Sequence, residues 1–369
     1  MSIAGAGAIS KCCTGKGGKR FAADLIRWQK QHGRHTLPWQ NTRDAYRIWL
    51  SEVMLQQTQV TTVIPYYQRF LDQFPDVRML AAAPVEQVMA LWSGLGYYSR
   101  ARNLHKCAQR VVAEFGGVFP DDPELLKQLP GIGRSTAAAI AVFSSGAQAA
   151  ILDGNVKRVL TRFCGIEGYP GAKPLENALW ELAEAMLPTS EVEAYTQGLM
   201  DLGATLCTRS KPSCERCPVA KHCVALATQR VDTLPTRKPR KAIPERRVMM
   251  LLIVHDKQIL LERRPDHGIW GGLLSLPEIE WSADEEHGID AGLVSHSLMP
   301  LGNMVSCQPL APLSHGFTHF RLHIFPCLIR LEQKLERAGQ DAYLWCPIGQ
   351  QAQLALPAPV RKLLAALSL

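Results

Sequence analysis

Leu129-Pro130-Gly131-Ile132-Gly133-Arg134-Ser135-Thr136, followed by the small-residue run Ala137 to Val142, decides how this chain is read. Glycines at 131 and 133 allow positive φ and close approach, and a helix starting just after them turns its first N–H groups toward whatever lies in front. Two helices joined by such a turn form a helix-hairpin-helix, whose amides grip a DNA phosphate without reading base sequence. A plain tight turn between helices is the alternative.

Farther along, Cys207, Cys214, Cys217 and Cys223 fall within seventeen residues as C-x6-C-x2-C-x5-C. One close pair flanked by single cysteines at unequal gaps is unlike the two close pairs of most structural zinc sites. Four thiolates on one loop suit a [4Fe-4S] cluster, with zinc as the second choice. Arg209, Lys211, Arg216 and Lys221 make that loop basic, able to press against phosphates. The other seven of the eleven cysteines are scattered and read as small buried hydrophobes.

Composition fits a nucleic-acid partner. With 369 residues, 47% of them hydrophobic, and a formal charge of +8, the chain can bury two ordinary cores and stays basic. Eleven cysteines in so long a chain are no secreted disulfide framework, and no run of eighteen apolar residues occurs. A cytoplasmic, nucleoid-associated protein without membrane contact is expected, with a monomer as the default.

Residues 1–18 are Gly-rich and expected as a disordered tail. From 19 to 229 the apolar spacing is helical; Tyr46, Trp49, Leu50, Val53, Met54 and Val60 share one face of a helix expected to end near Pro65. Residues 230–247 hold seven Lys/Arg and three prolines, a basic linker with little core of its own. From 248 to 369 short β-rich segments at Val248–Val254, Gln258–Glu262 and Leu322–Leu328 precede a helix from about Pro359, which reads as α+β.

The hairpin, then Leu152-Asp153-Gly154-Asn155-Val156-Lys157-Arg158-Val159, then the four cysteines, resemble the endonuclease III superfamily of base-excision glycosylases. Ser51-Glu52-Val53-Met54-Leu55-Gln56-Gln57-Thr58-Gln59, the run Gly94 to Leu104 and a second domain narrow the resemblance to the MutY family of adenine DNA glycosylases. It covers the chain from about Arg20 onward. The fold implied is a mostly α helix-hairpin-helix glycosylase domain with an iron–sulfur loop, joined to an α+β Nudix-like, or MutT-like, domain. The activity implied is hydrolysis of the N-glycosidic bond of adenine opposite 8-oxoguanine or guanine in double-stranded DNA.

Such a bond needs an acid to protonate the leaving base and a negative charge to support the oxocarbenium sugar. Glu52 lies among Trp49, Leu50, Val53 and Leu55; burial there would keep it protonated, whereas a solvated helix glutamate would ionise. The resemblance implies that Glu52 protonates adenine N7, that Asp153 faces the sugar C1′, and that Asn155 supports the pair. On its own, Asp153 would read as a helix N-cap. Ser135 stands where bifunctional relatives place a Schiff-base lysine, which implies a monofunctional enzyme. Gln57 and Tyr97 match the residues that fill the gap left by the extruded base. Trp39, Gln40, Leu55 and Gln197 match an adenine pocket, although Trp39 and Leu55 would serve equally as core.

From Gly272 the chain supplies Glu278 of the Nudix metal-binding pattern, then Glu286, His287 and Gly288 where Arg, Glu and an aliphatic residue are required, so triphosphate hydrolysis is not expected. The resemblance implies instead that Phe317-Thr318-His319 recognises 8-oxoguanine; a strand edge without a ligand is the alternative. Two other functions stay open: an endonuclease III-like pyrimidine glycosylase and lyase, and an iron–sulfur DNA-damage binder with no catalysis.

Overall fold

The computed structural model describes residues 15–238, 242–265, 267–280, 302–317, 319–334, 343–350 and 354–367. They form two compact units, one from residues up to Ala82 together with Asn103–Arg240, the other from Ala83–Arg102 together with Lys241–Leu369. Thr318 and Glu286–Gly288 lie outside the described residues.

In chain order the helices are α1 (Lys16–His32), α2 (Ala45–Leu55), α3 (Val60–Gln73), α4 (Val77–Ala82), α5 (Val85–Trp92) and α6 (Ser99–Phe115). They continue with α7 (Pro123–Leu126), α8 (Arg134–Ser145), α9 (Gly154–Cys164), α10 (Lys173–Ala185), α11 (Val192–Asp201), α12 (Val224–Ala227) and α13 (Ala358–Ala365). Helix α1 starts at Lys16, inside the segment expected as a tail.

Among its described residues the first unit is helical throughout. Its core gathers Phe21 and Leu25 of α1, Val156, Leu160 and Phe163 of α9, Leu179 and Leu182 of α10, and Tyr195 and Leu199 of α11. These residues recur at spacings of three and four, so each helix turns one apolar stripe inward. Helix α2 is buried on more than one side, by Tyr46, Ile48, Trp49, Leu50, Val53 and Met54, and Asp44 caps it by accepting from the Tyr46 amide at 2.9 Å.

The expectation of a helix running on to Pro65 is corrected. Helix α2 stops at Leu55, Gln57 takes a left-handed φ of 59°, and a new helix begins at Val60 with Pro65 inside it. A non-glycine residue at positive φ ends α-helical hydrogen bonding, whereas proline near a helix start removes only one bond.

The linker expected at 230–247 is likewise less detached than its composition implied. Leu234 is buried, and the Arg162 Nε donates to its carbonyl at 2.8 Å; strand pairing resumes at Glu245.

The second unit holds a sheet of β1 (Glu245–His255), β2 (Gln258–Arg263), β3 (Leu274–Ser275), β4 (Glu278–Glu280), β5 (Gly302–Pro309), β6 (Leu313–Gly316), β7 (Arg321–Lys334) and β8 (Tyr343–Pro347). Its spine runs β3-β2-β1-β7-β5, with β4 on β1, β6 on β7 and β8 on β2. β1 and β7 pair in parallel and the other pairs are antiparallel. Being central, β1 is buried continuously from Val248 to Val254, which is why that stretch reads as an unbroken apolar run. Sequence patterning placed Ala83–Arg102 in one continuous helical block. In the structure this segment belongs to the second unit: Ser93 Oγ donates to Leu356 O at 3.0 Å, and Arg361 Nη2 donates to Ser93 Oγ at 2.6 Å. Among the described residues no helix is long and apolar enough to cross a membrane.

Candidate active site

Helix α2 delivers Glu52 to the wall of a cavity of about 800 Å³ in the first unit, within the size range of small-molecule sites. Trp39, Gln40, Leu55 and Gln197 line the same cavity, so five of the residues singled out from sequence meet there. Trp39 is nearly buried and packs edge-on against Tyr67, with ring centroids 5.4 Å apart.

Burial, reinforced by the negative charge of Asp153, pushes the Glu52 carboxyl up to about 8. Withdrawal from water disfavours the charged form, and a second carboxylate nearby disfavours it further. Glu52 is half-buried on the cavity wall and shifted toward its protonated form. A general acid with this pKa is mostly protonated at neutral pH.

Asp153 is the N-cap of α9, where its Oδ1 accepts from the Val156 amide at 2.7 Å. The capping bond fixes the carboxylate, whose charge helps to raise Glu52, although Asp153 is not among the residues lining the Glu52 cavity. The capping and acid-pair roles are thus compatible. Ser135, in the first turn of α8, accepts the Leu152 amide at 3.0 Å. Its hydroxyl anchors the strand of backbone that leads into Asp153. Asn155 Oδ1 accepts from Arg158 Nη2 at 2.8 Å, and the Arg158 guanidinium also donates to Gly203 O at 2.7 Å and to Cys207 O at 2.8 Å. Gly203 is required there, since a Cβ would come within 2.7 Å of the Asn155 Cβ.

In the hairpin, Gly131 takes φ 79° and a Cβ on it would meet the Asn103 Cβ at 2.9 Å. Gly133 is the N-cap residue of α8, whose opening amides have no intrahelical acceptor and can face an anion. Arg134 lies over the Trp180 ring, 3.9 Å from its centroid, and pairs with Glu184.

The four cysteines of the 207–223 loop line one apolar pocket together with Val159, Phe163, Leu202 and Leu206. Arg162 Nη1 donates to Cys207 Sγ at 3.4 Å and to Thr208 O at 2.7 Å. Burial pushes the Cys217 thiol up to about 12, with the sulfurs at 207, 223 and 214 raising it further. Among the described residues no three His, Cys, Asp or Glu side chains converge on a single metal ion.

In the second unit a cavity of about 910 Å³ is lined by Tyr97, Arg102, Arg246, Trp270, His315, Phe317, His319 and Phe320. Phe317 stacks on Phe320 with centroids 4.4 Å apart, and Trp270 tilts against Phe317 at 5.4 Å. Tyr97 is exposed with a left-handed φ of 48°, and Gln57 of the first unit is exposed with its own left-handed φ. Glu278, the surviving Nudix carboxylate, is paired with Arg264 at 2.7 Å.

Sequence reasoning missed Arg34, Asp201, Arg158, Trp270 and His315. Asp201 follows Gln197 by four residues on α11 and so shares its face, which is the one signal that was available.

The family model of HhH-GPD superfamily base excision DNA repair proteins matches residues 50–185, and that of the NUDIX domain matches residues 248–366. The adenine DNA glycosylase of Buchnera aphidicola subsp. Acyrthosiphon pisum is 36% identical over 345 residues, covering 93% of this chain and 96% of that protein. That of Mus musculus is 33% identical over 396 residues, covering 93% of this chain and 76% of that protein. A solved thermostable thymine-DNA glycosylase is 30% identical with a TM-score of 0.50, covering 57% of this chain and 97% of that one. By the identity and extent of these matches, the chain belongs to the adenine DNA glycosylase family of base excision repair enzymes.

Proposed function

We propose that the enzyme removes adenine paired with 8-oxoguanine or guanine from double-stranded DNA, by hydrolysis alone and without cutting the strand. The observation that carries this reading is Glu52, a carboxyl raised to about 8 by burial and by the Asp153 charge, on the wall of a cavity with room for a base. The adenine is extruded from the stack into the cavity. Glu52 gives its proton to N7, so the base leaves neutral rather than as an anion. As the bond to C1′ stretches, the Asp153 carboxylate supports the cationic sugar. Water then adds at C1′, with Glu52, now ionised, accepting its proton. With a hydroxyl at Ser135 already bonded to the Leu152 amide, that position offers no amine for a Schiff base. This favours the monofunctional reading over the pyrimidine glycosylase and lyase.

A pH dependence follows. Single-turnover excision is expected to hold level through neutral pH and to fall about tenfold per unit above roughly 8, as the acid loses its proton. Because the folded state retains this proton while an unfolded glutamate loses it near 4.5, Glu52 lowers stability as pH climbs from 4.5 toward 8. A rate that climbs steadily through pH 9 would contradict the general-acid role.

We assign recognition of the opposite 8-oxoguanine to the aromatic cavity of the second unit, through Phe317 and His319 with Tyr97. Aromatic rings bind a base face, and the His319 ring supplies nitrogens that can donate and accept at its edge. F317A/H319A is expected to lower the preference for adenine opposite 8-oxoguanine over adenine opposite guanine by about tenfold or more. Excision rates on both duplexes check it; an unchanged preference would remove the assignment.

The donor set of Cys207, Cys214, Cys217 and Cys223 fits a [4Fe-4S] cluster. The four thiols line one apolar pocket, and four soft thiolate donors on a single loop are the set such a cluster takes. Bound there, the cluster would supply the iron atoms that the four thiolates ligate and so tie the loop together, and Arg162 would support the sulfur of Cys207. The enzyme is expected to act as a monomer.

A further inference from the structure

Gln197 and Gln40 both line the base cavity, and their amides are held in different ways. Gln40 is used at both ends: its Nε2 donates to Arg34 O at 2.9 Å, and its Oε1 accepts from the Leu37 amide at 3.0 Å. It frames the loop. Gln197 donates its Nε2 to Asp201 Oδ1 at 2.8 Å.

An ionised carboxylate only accepts hydrogen bonds, so it dictates which end of the amide faces it. With the Gln197 nitrogen turned to Asp201 and the residue on the cavity wall, Oε1 is left as the acceptor that a bound base can meet. Asp201 is itself fully buried and held from the other side by Arg34, whose amide donates to Oδ2 at 2.9 Å and whose Nε donates to Oδ1 at 2.6 Å. These two bonds from Arg34 hold the Asp201 carboxylate in place.

We propose that Asp201 is a specificity-setting residue: by locking the Gln197 amide with its carbonyl inward, it makes the cavity accept 6-aminopurines and reject 6-oxopurines. The inference rests on the cavity being the adenine site. Adenine presents an N7 acceptor beside an N6 amino donor, whereas guanine and hypoxanthine present acceptors at both N7 and O6. A protonated Glu52 and an inward carbonyl on the wall of one cavity match the first pattern. Against the second, O6 and Oε1 meet lone pair to lone pair. Asp201 touches no substrate; it is a positioning residue.

The test compares single-turnover excision of adenine and of hypoxanthine, each opposite the same base in otherwise identical duplexes. Wild type is expected to favour adenine strongly. In D201N the new amide can donate to Gln197 Oε1 and let the glutamine turn over. The adenine-to-hypoxanthine ratio is then expected to fall by about tenfold or more, as a misplaced buried hydrogen-bond partner predicts. The double variant D201N/Q197E restores an inward acceptor and should recover most of the ratio. Such recovery separates positioning from loss of fold. R34A, which removes one of the two bonds that hold Asp201, should lower the ratio in the same direction as D201N and by less.

If D201N and wild type show the same ratio, with both rates lowered together, Asp201 is only structural and the proposal is overturned. A wild type that excises no adenine would remove the reading of the cavity itself. With an active wild type, the ratio alone decides.

Discussion

E52Q is expected to bind mispaired duplex within a few-fold of wild type and to lose excision by roughly 10²- to 10⁴-fold, the usual worth of a positioned acid. The amide has the size of the carboxyl and can still donate a hydrogen bond, so the cavity and α2 are preserved. It has no proton to transfer to N7. The same change removes the group whose ionisation lowers stability between pH 4.5 and 8. E52Q should therefore match or exceed wild-type thermal stability above pH 8. Binding and single-turnover assays on one preparation check the pair of effects, and near-wild-type excision by E52Q would refute the role. Retained binding without turnover would also separate the enzyme from an iron–sulfur binder with no catalysis.

D153N is the second large effect, and the structure makes it unusually clean. Asparagine caps helices about as well as aspartate, so the bond from the Val156 amide to the residue-153 oxygen should survive. What disappears is one negative charge. Loss of a fixed electrostatic group opposite a developing charge costs about 10²- to 10³-fold. A second signature follows, because the Asp153 charge helps to raise the Glu52 carboxyl. In D153N the alkaline fall of residual activity should move to lower pH. A variant that loses rate with an unmoved pH profile would mean that the two carboxylates act independently.

Much of this arrangement was legible in the sequence where local chemistry decides it. Gly131 marked the hairpin turn by its positive φ, whereas Gly133, at φ −88° and in open space, has no need to be glycine; the continuous Val248–Val254 run marked a central strand. Features set by distant partners were not legible. Asp201 earns its role from Arg34, 167 residues away in the chain, and no local pattern announces such a pairing. The insertion of Ala83–Arg102 into the second unit depends on Ser93 meeting Leu356 O, again a long-range contact. Pro65 misled because a proline ends helices on average, while here the left-handed turn at Gln57 had already done so. Ser135 was readable as a missing lysine, but its bond to the Leu152 amide, which steadies the approach to Asp153, needed coordinates.

The most direct test of the central claim uses three duplexes, with adenine opposite 8-oxoguanine, adenine opposite guanine, and thymine glycol opposite adenine. Each is incubated with the purified full-length protein, and strands are compared with and without alkali. The account predicts cleavage at adenine only after alkali, fastest opposite 8-oxoguanine, and none at thymine glycol. Alkali-independent nicking, above all at thymine glycol, would contradict it and restore the pyrimidine glycosylase and lyase.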